Sequence, residues 1–180
     1  MWRRQAVEIN VIDLPENLIV QSIEDLFRDT AVSGYANTKT LIEKTADPAT
    51  DYPAAYQTWY YSGLPTPANS TGWFMPSIQQ WVKILTELGR MNESDIAWRD
   101  WIDPNLTTLH NLESAMNKEG VEFDDFTGNN RIYWASNETT AGFGTCIYVY
   151  PEAEHNQKGM IITHAEKWSA WSYVRPVLAF

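Results

Sequence analysis

The chain has 180 residues, a length that is typical of a single domain. Thirteen basic and twenty-three acidic residues give it a formal net charge of −10, which argues against nucleic-acid and anionic-membrane partners because both attract positive charge. The sequence has no apolar run of about eighteen residues or more, so we expect no direct membrane insertion and an export signal outside this chain. The single Cys146 excludes an intramolecular disulfide and any metal site built from several cysteines.

Aromatic residues are unusually frequent. Nine Trp, nine Tyr and six Phe are more than one small core is expected to take up. We therefore expect some of these rings to face solvent or a ligand.

The first elements in chain order are a short strand and two helices. Alternation at Val7, Ile9 and Val11 predicts the strand. The stretch 13–30, with Asp13 near a cap and Pro15 in the first turn, predicts a helix. Its apolar face would consist of Leu18, Ile19, Ile23, Leu26 and Phe27. A shorter helix is predicted over 37–46, with Asn37 as its N-cap.

Two further helices are predicted in the middle of the chain. Ser77 and Gln80 form a capping-box pattern. Apolar residues follow at helical spacing before Gly89, namely Ile78, Trp81, Val82, Leu85 and Leu88. The next helix is predicted to begin with Asp103 as cap and Pro104 in the first position, and to end at Gly120.

The C-terminal part of the sequence changes to the period of strands. The stretches "RIYWAS", "TCIYVY" and "MIIT" are rich in β-branched and aromatic residues, and "WSYVRPVLAF" reads as a closing strand interrupted by Pro176. Helices first and strands last predict an α+β domain, with a twisted antiparallel sheet in the C-terminal half.

Three motifs then carry a resemblance. "GWFMPSIQQW", "YWASNE" and "VRPVLAF" follow one another in the order and at the spacing of bacterial C-type-lectin-like surface domains. In those domains the patterns are W-x-L-P-S before a helix, then Y-W-S-S-x-E, then V-R-P-V. The chain resembles them over residues 33–180, with Met75 and Ala135 as departures, while residues 1–32 match nothing in the pattern.

Such domains form the C-terminal part of collagen-like adhesins, of major paralogous surface proteins, and of fimbrial or retroelement-diversified surface proteins of gut anaerobes. The resemblance implies a C-type-lectin-like fold for a single domain over 1–180. It also implies that the chain is the C-terminal part of a longer protein at the cell surface, on a fimbria or otherwise extracellular.

The resemblance also implies where a ligand would bind. The Trp-Pro-Ser step would be scaffold, with Trp73 and Trp81 packed inward. Ligand contacts would lie on the late strands and loops, at Phe143, Tyr148, Tyr150, His164, Lys167, Trp168, Trp171 and Tyr173. Trp168 in a polar loop is the strongest candidate, whereas Trp171 and Tyr173 are equally compatible with the core.

Catalytic and metal-binding interpretations find little support. Formylglycine-generating enzymes resemble the same architecture but need a cysteine pair, and this chain has one cysteine. The sequence has no Gly-x-Ser-x-Gly elbow, phosphate loop or dinucleotide motif. His110, His155 and His164 lack metal-ligand spacing, and "EFDDFTGNN" lacks that of a calcium loop, which leaves calcium unsupported. We expect no catalytic residue, no cofactor and no metal.

The sequence therefore predicts a non-enzymatic adhesion or ligand-binding module, whose partner is a glycan or a host or bacterial surface protein. The alternative is a structural or assembly subunit, fimbrial or of a phage virion, whose aromatic residues contact other subunits.

Overall fold

The computed structural model describes residues 19–28, 33–117, 126, 131–140, 142–154, 157–167 and 172–179. It is an α+β structure with helices in the N-terminal half and a five-stranded sheet in the C-terminal half, as predicted. The helices are α1 Ile23–Leu26, α2 Ser33–Glu43, α3 Pro48–Asp51, α4 Pro53–Trp59, α5 Ile78–Glu87 and α6 Thr107–Asn117. The strands are β1 Trp101–Ile102, β2 Arg131–Thr140, β3 Phe143–Glu154, β4 Gln157–Glu166 and β5 Ser172–Tyr173.

The sheet has the strand order β1-β4-β3-β2-β5. Neighbouring strands are antiparallel except at one edge, where β5 runs parallel to β2. The prediction of an all-antiparallel sheet was therefore wrong, and the sheet is mixed. The parallel pair belongs to the closing segment. Of its described residues, only Ser172 and Tyr173 pair with β2, and the chain then leaves the sheet. Val177 instead exchanges two backbone hydrogen bonds with Phe74, at 2.9 and 3.0 Å.

The long helix predicted over 13–30 is short in the structure. The strand at residues 7–11 and the start of this helix lie outside the described residues. Ile19 and Val20 are not helical, because the Val20 N–H donates to the Glu138 carbonyl of β2 at 2.9 Å. Helix α1 begins only after Ser22. A pairing with a distant strand thus overrides the helical period of this segment.

Asn37 was predicted as an N-cap and lies instead inside α2, which begins four residues earlier at Ser33. Its side chain is buried, and its amide donates to the backbone carbonyl and the hydroxyl of Ser136, at 3.2 and 3.1 Å. The residue serves a tertiary contact between α2 and β2, which local pattern reasoning does not detect.

The capping box of α5 is confirmed. The Gln80 N–H donates to Ser77 Oγ at 3.1 Å, and the Ser77 N–H donates to Gln80 Oε1 at 2.9 Å. Ile78, Trp81 and Leu85 are buried on the predicted face. Gly89 follows the helix, and a Cβ there would lie 2.4 Å from Thr108 Cγ2, so the glycine permits close approach of α6.

Asp103 caps α6 from further away than predicted. Its carboxylate accepts hydrogen bonds from the N–H groups of Thr107 and Thr108, at 2.8 and 2.9 Å, and the helix begins at Thr107 rather than at Pro104. Gly120, the predicted end of this helix, lies outside the described residues.

Helices pack on both faces of the sheet. We call the inner face the one that packs into the main core, where Val149, Met160 and Ile162 are fully buried together with Leu85 of α5 and Leu109 of α6. The opposite, outer face is partly covered: Trp134 packs against a second cluster that contains Leu41 of α2, Ala55 of α4 and Met75.

Candidate functional site

Two of the three motifs of the resemblance, "GWFMPSIQQW" and "YWASNE", meet at a bulge in β2. Pairing between β2 and β3 shifts register between Trp134 and Glu138. There the Asn137 side-chain oxygen accepts a hydrogen bond from the first N–H of α5, at Ile78, over 2.7 Å. The Ser136 N–H donates to the Pro76 carbonyl at 2.9 Å. These contacts tie "MPSI" to "SNE" and satisfy backbone groups that would otherwise be buried without partners. Both motifs have a structural role here.

Lys167, a predicted ligand contact, lies in a buried ion pair. Its ammonium donates to the carboxylate of Glu138, and only 8% and 7% of the two side chains are exposed. The Lys167 N–H also donates to the Gly142 carbonyl at 3.1 Å. The residue fixes the end of β4 against the β2 bulge.

Phe143 and His164 lie together on the inner side of the sheet, near its rim. Their ring centroids are 5.1 Å apart, and Trp98 lies 6.4 Å from His164. Burial, and then the charge of Arg99, lower the pKa of His164. Within the described ranges, the buried Nδ1 atom of His164 makes no hydrogen bond. Burial among aromatic neighbours thus favours the neutral form of this histidine.

Tyr173 occupies the β5 edge and is 40% exposed. The Arg131 guanidinium lies 5.3 Å from its ring centroid, within the range of a cation–π contact. The neighbouring Arg175 lies over Phe126 of the core, at 4.4 Å. Trp168 and Trp171 lie outside the described residues, so the prediction for them stays a prediction.

The remaining two predicted residues, Tyr148 and Tyr150, belong to the outer face. Side chains of one strand alternate between faces, and paired residues on neighbouring strands share a face. The pairs Trp101–Ile161, Ile161–Tyr148, Tyr148–Ile132 and Ile132–Ser172 therefore form one row across the whole sheet. All five residues of this outer row are partly exposed.

The residues next to the outer row along the same strands face the main core, which shows that the row itself faces the opposite side. Ile102, Met160 and Val149 are the next residues along β1, β4 and β3, and all three are buried in the main core. The same strands thus present buried aliphatic residues on one side and partly exposed aromatic and aliphatic residues on the other.

Tyr150 extends the outer row into a continuous aromatic surface. Its ring centroid lies 6.2 Å from that of Tyr148, with nearly parallel planes, and 5.2 Å from that of Trp101, edge to face. Burial, followed by the neighbouring Cys146, Tyr150 and Glu166, raises the pKa of Tyr148 to about 12. The Tyr148 hydroxyl therefore keeps its proton at neutral pH and can donate a hydrogen bond.

The pairings place one charged side chain on the outer face, that of Glu138, which is paired with Gly144 and is buried against Lys167. The other outer-face positions are Trp101, Ile132, Trp134, Gly144, Cys146, Tyr148, Tyr150, Gly159, Ile161, Thr163, Ala165 and Ser172. Those of them that are partly exposed carry aromatic, aliphatic or hydroxyl side chains. Such a surface favours uncharged ligands with apolar faces and hydroxyl groups.

Cys146 lies beneath this surface and is fully buried. Burial raises the pKa of its thiol far above the usual range, so the thiol is not a nucleophile at neutral pH. Among the residues described, no group of three or more His, Cys, Asp or Glu side chains is placed to hold a metal ion. No helix in the described ranges is both long and apolar enough to span a membrane.

Sequence reasoning missed Trp101, Ile132, Ile161 and Ser172. Trp101 precedes the predicted strands by about thirty residues, and only its pairing with Ile161 brings it to them. The alternation in "TCIYVY" predicts that Tyr148 and Tyr150 share one face, but it does not say that this face is opposite the core.

No protein-family model matches the chain, and no curated protein and no solved structure has a significant match to it.

Proposed function

We propose that the protein is a non-enzymatic ligand-binding or adhesion module with a C-type-lectin-like fold, and that the ligand binds on the outer face of the sheet. The observation that carries the proposal is the partly exposed outer row, flanked by Tyr150. Of the eight residues predicted as ligand contacts, the proposal keeps Tyr148 and Tyr150, and it adds Trp101.

The contacts between motifs support the C-type-lectin-like part of the proposal. "GWFMPSIQQW" contacts "YWASNE" through Asn137 and Ser136, and it contacts "VRPVLAF" through the pairing of Phe74 with Val177. Residues that recur together in a family for structural reasons are expected to touch, and these do. The motifs thus act as one scaffold and leave the outer face for binding.

Aromatic side chains make this face suited to binding. Tyr and Trp provide a large contact area with little loss of conformational entropy, and such anchors commonly contribute about 2 kcal/mol each or more. By contrast, Phe143, His164 and Lys167 are engaged in contacts within the protein. We further propose display of the domain outside the cell, at a surface or on a fimbria, as part of a longer protein.

A second candidate is a structural or assembly subunit. Tyr60, Tyr61 and Leu64, in and after the C-terminal turn of α4, are 57%, 36% and 38% exposed and are close in sequence. A cluster of exposed apolar residues is typical of a protein interface. This function predicts self-association or subunit contact through that cluster, with no role for the outer face.

The test measures binding of the purified 180-residue protein to a printed array of neutral and acidic glycans and to immobilised bacterial and host surface proteins. Tyr150→Ala should weaken binding of any ligand that the wild-type protein retains by about tenfold or more, while Tyr60→Ala should not, because Tyr60 follows α4 and not the sheet. Circular dichroism and thermal melting check that both variants fold. Retained binding in Tyr150→Ala together with loss in Tyr60→Ala would favour the assembly function.

A further inference from the structure

We infer that the outer face takes an uncharged, linear oligosaccharide that lies across the strands along the outer row. The inference rests on the proposed function, since it names the ligand class of the same face. Three features support it: the charge of the outer face, the length of the outer row and the hydroxyl group of Ser172.

Charge complementarity excludes anionic glycans. None of the partly exposed outer-face positions carries a charged side chain, since Glu138 is buried in its pair with Lys167, while the chain as a whole has a net charge of −10. A carboxylate or sulfate on the ligand would need a nearby cation and would be repelled by the field of the protein.

The nearby cations are placed elsewhere. Arg131 and Lys158 alternate to the inner side of β2 and β4, since they precede Ile132 and Gly159. Lys167 pairs with Glu138, and Arg175 lies over Phe126. The cations on or beside the strands are thus directed away from the outer row.

The length of the row favours several linked sugar units. Five strands contribute one residue each, and neighbouring strands lie about 4.8 Å apart, so the row spans roughly 19 Å. That is longer than one sugar ring. Trp101 and Tyr148 provide ring surfaces in one half of the row, and Ile132 continues it as an apolar surface toward β5.

The Ser172 hydroxyl gives the row a polar end. Its Oγ is a buried atom that makes no hydrogen bond within the part of the chain that the structure describes. Burying a hydroxyl without a partner is unfavourable, and rotation of the short Ser172 side chain would bring its hydroxyl to a sugar hydroxyl at the end of the row. The Tyr148 hydroxyl, which keeps its proton, is a second donor in the middle of the row.

The test measures binding of uncharged gluco-, manno-, galacto- and xylo-oligosaccharides, from the monosaccharide to the hexasaccharide, by titration calorimetry and protein-observed NMR. Oligogalacturonates of the same lengths are the matched acidic probes. We expect one neutral series to bind with affinity that rises by about tenfold or more with chain length and then levels off. The acidic series should not bind, and added salt should change the neutral affinity by less than about twofold.

Substitutions test whether the oligosaccharide binds on the outer row. Tyr150→Ala should weaken it by about tenfold or more. Tyr148→Phe keeps the ring, removes the hydroxyl and should weaken binding by a smaller factor, and Ser172→Ala should lower affinity for long chains only. Tyr60→Ala is the control and should bind as the wild type does.

Three binding results with the wild-type protein would overturn the inference. They are binding of no neutral series, binding that is as tight for the monosaccharide as for longer chains, and preference for the acidic series with a strong dependence on salt. If a protein ligand binds instead and is lost in Tyr150→Ala, the binding face stands and only the glycan assignment fails. Neutral-glycan binding that is unchanged in Tyr150→Ala overturns the inference and the proposed face together.

Discussion

Lys167→Met is predicted to destabilise the fold strongly. Methionine is about as long as the apolar stem of lysine, so the substitution keeps that stem and removes the ammonium that pairs with Glu138. Both side chains are more than nine-tenths buried. A buried carboxylate that loses its counter-charge is far from water, so the folded state bears a desolvation cost that the unfolded chain does not.

The expected loss is about 3 to 5 kcal/mol in the free energy of unfolding, the range for breaking a buried ion pair by removing one partner. For a chain of this size each kcal/mol corresponds to roughly 2 to 4 °C in Tm, so Tm should fall by about 6 to 20 °C. The double variant Lys167→Met with Glu138→Met should recover most of this loss, because it removes both charges and keeps apolar volume.

Urea and thermal denaturation of the wild type, both single variants and the double variant give the coupling energy directly. The exposed pair Lys39–Glu43 is the matched control, with 48% and 65% of the side chains exposed at 3.8 Å. Lys39→Met should change stability by less than about 1 kcal/mol. If Lys167→Met changed stability as little as Lys39→Met, the pair would be hydrated and our account of the β2 bulge would be refuted.

Three other predictions concern stability. Ser77→Ala removes the oxygen that caps α5 and should lower the free energy of unfolding by about 1 kcal/mol without changing ligand binding, as measured by urea denaturation; lost binding with unchanged stability would instead make the motif a binding site. Arg90→Gly should raise that free energy by about 1 kcal/mol, because the exposed Arg90 has a φ of 60° that only glycine adopts without strain; a lower urea midpoint would contradict this. The pKa of His164 is lowered in the folded state, so the unfolded chain binds more protons. The contribution of His164 to stability should therefore be fully present above about pH 6.5 and fall as the pH drops below it. His164→Phe should flatten that fall in denaturation measured against pH, and an unchanged pH dependence would contradict this.

Features that depend on neighbours in sequence were predictable. The capping box of α5 needs only Ser77 and Gln80, three residues apart, and it was predicted with four of the five residues of its buried face; the fifth, Leu88, follows the last turn and is exposed. Strands β2, β3 and β4 were predicted from their composition, although each is longer in the structure than its motif.

Features that depend on distant partners were not predictable. Asn37 resembles a cap, but Ser136 of β2 provides partners for its side chain inside a helix. Ile19 has helical spacing to Ile23, but it pairs with Glu138 in a non-helical segment. The candidate site shows the same limit, since alternation separates Tyr148 from Ile147 but does not say which of them faces the main core.

The outer row also determines what could imitate or block this surface. Its members run from Trp101 to Ser172, and each comes from a different strand, so no peptide of the sequence contains all five unless it spans residues 101–172. An antibody raised against linear fragments would therefore not recognise the surface, whereas one selected on the native protein would report that all five strands have assembled. The two ends of the row join the hairpins β2–β3–β4 only through the pairs Trp101–Ile161 and Ile132–Ser172, which are distant in sequence and belong to the class of contact that slows folding. The epitope would thus appear late in refolding and mark completion of the sheet.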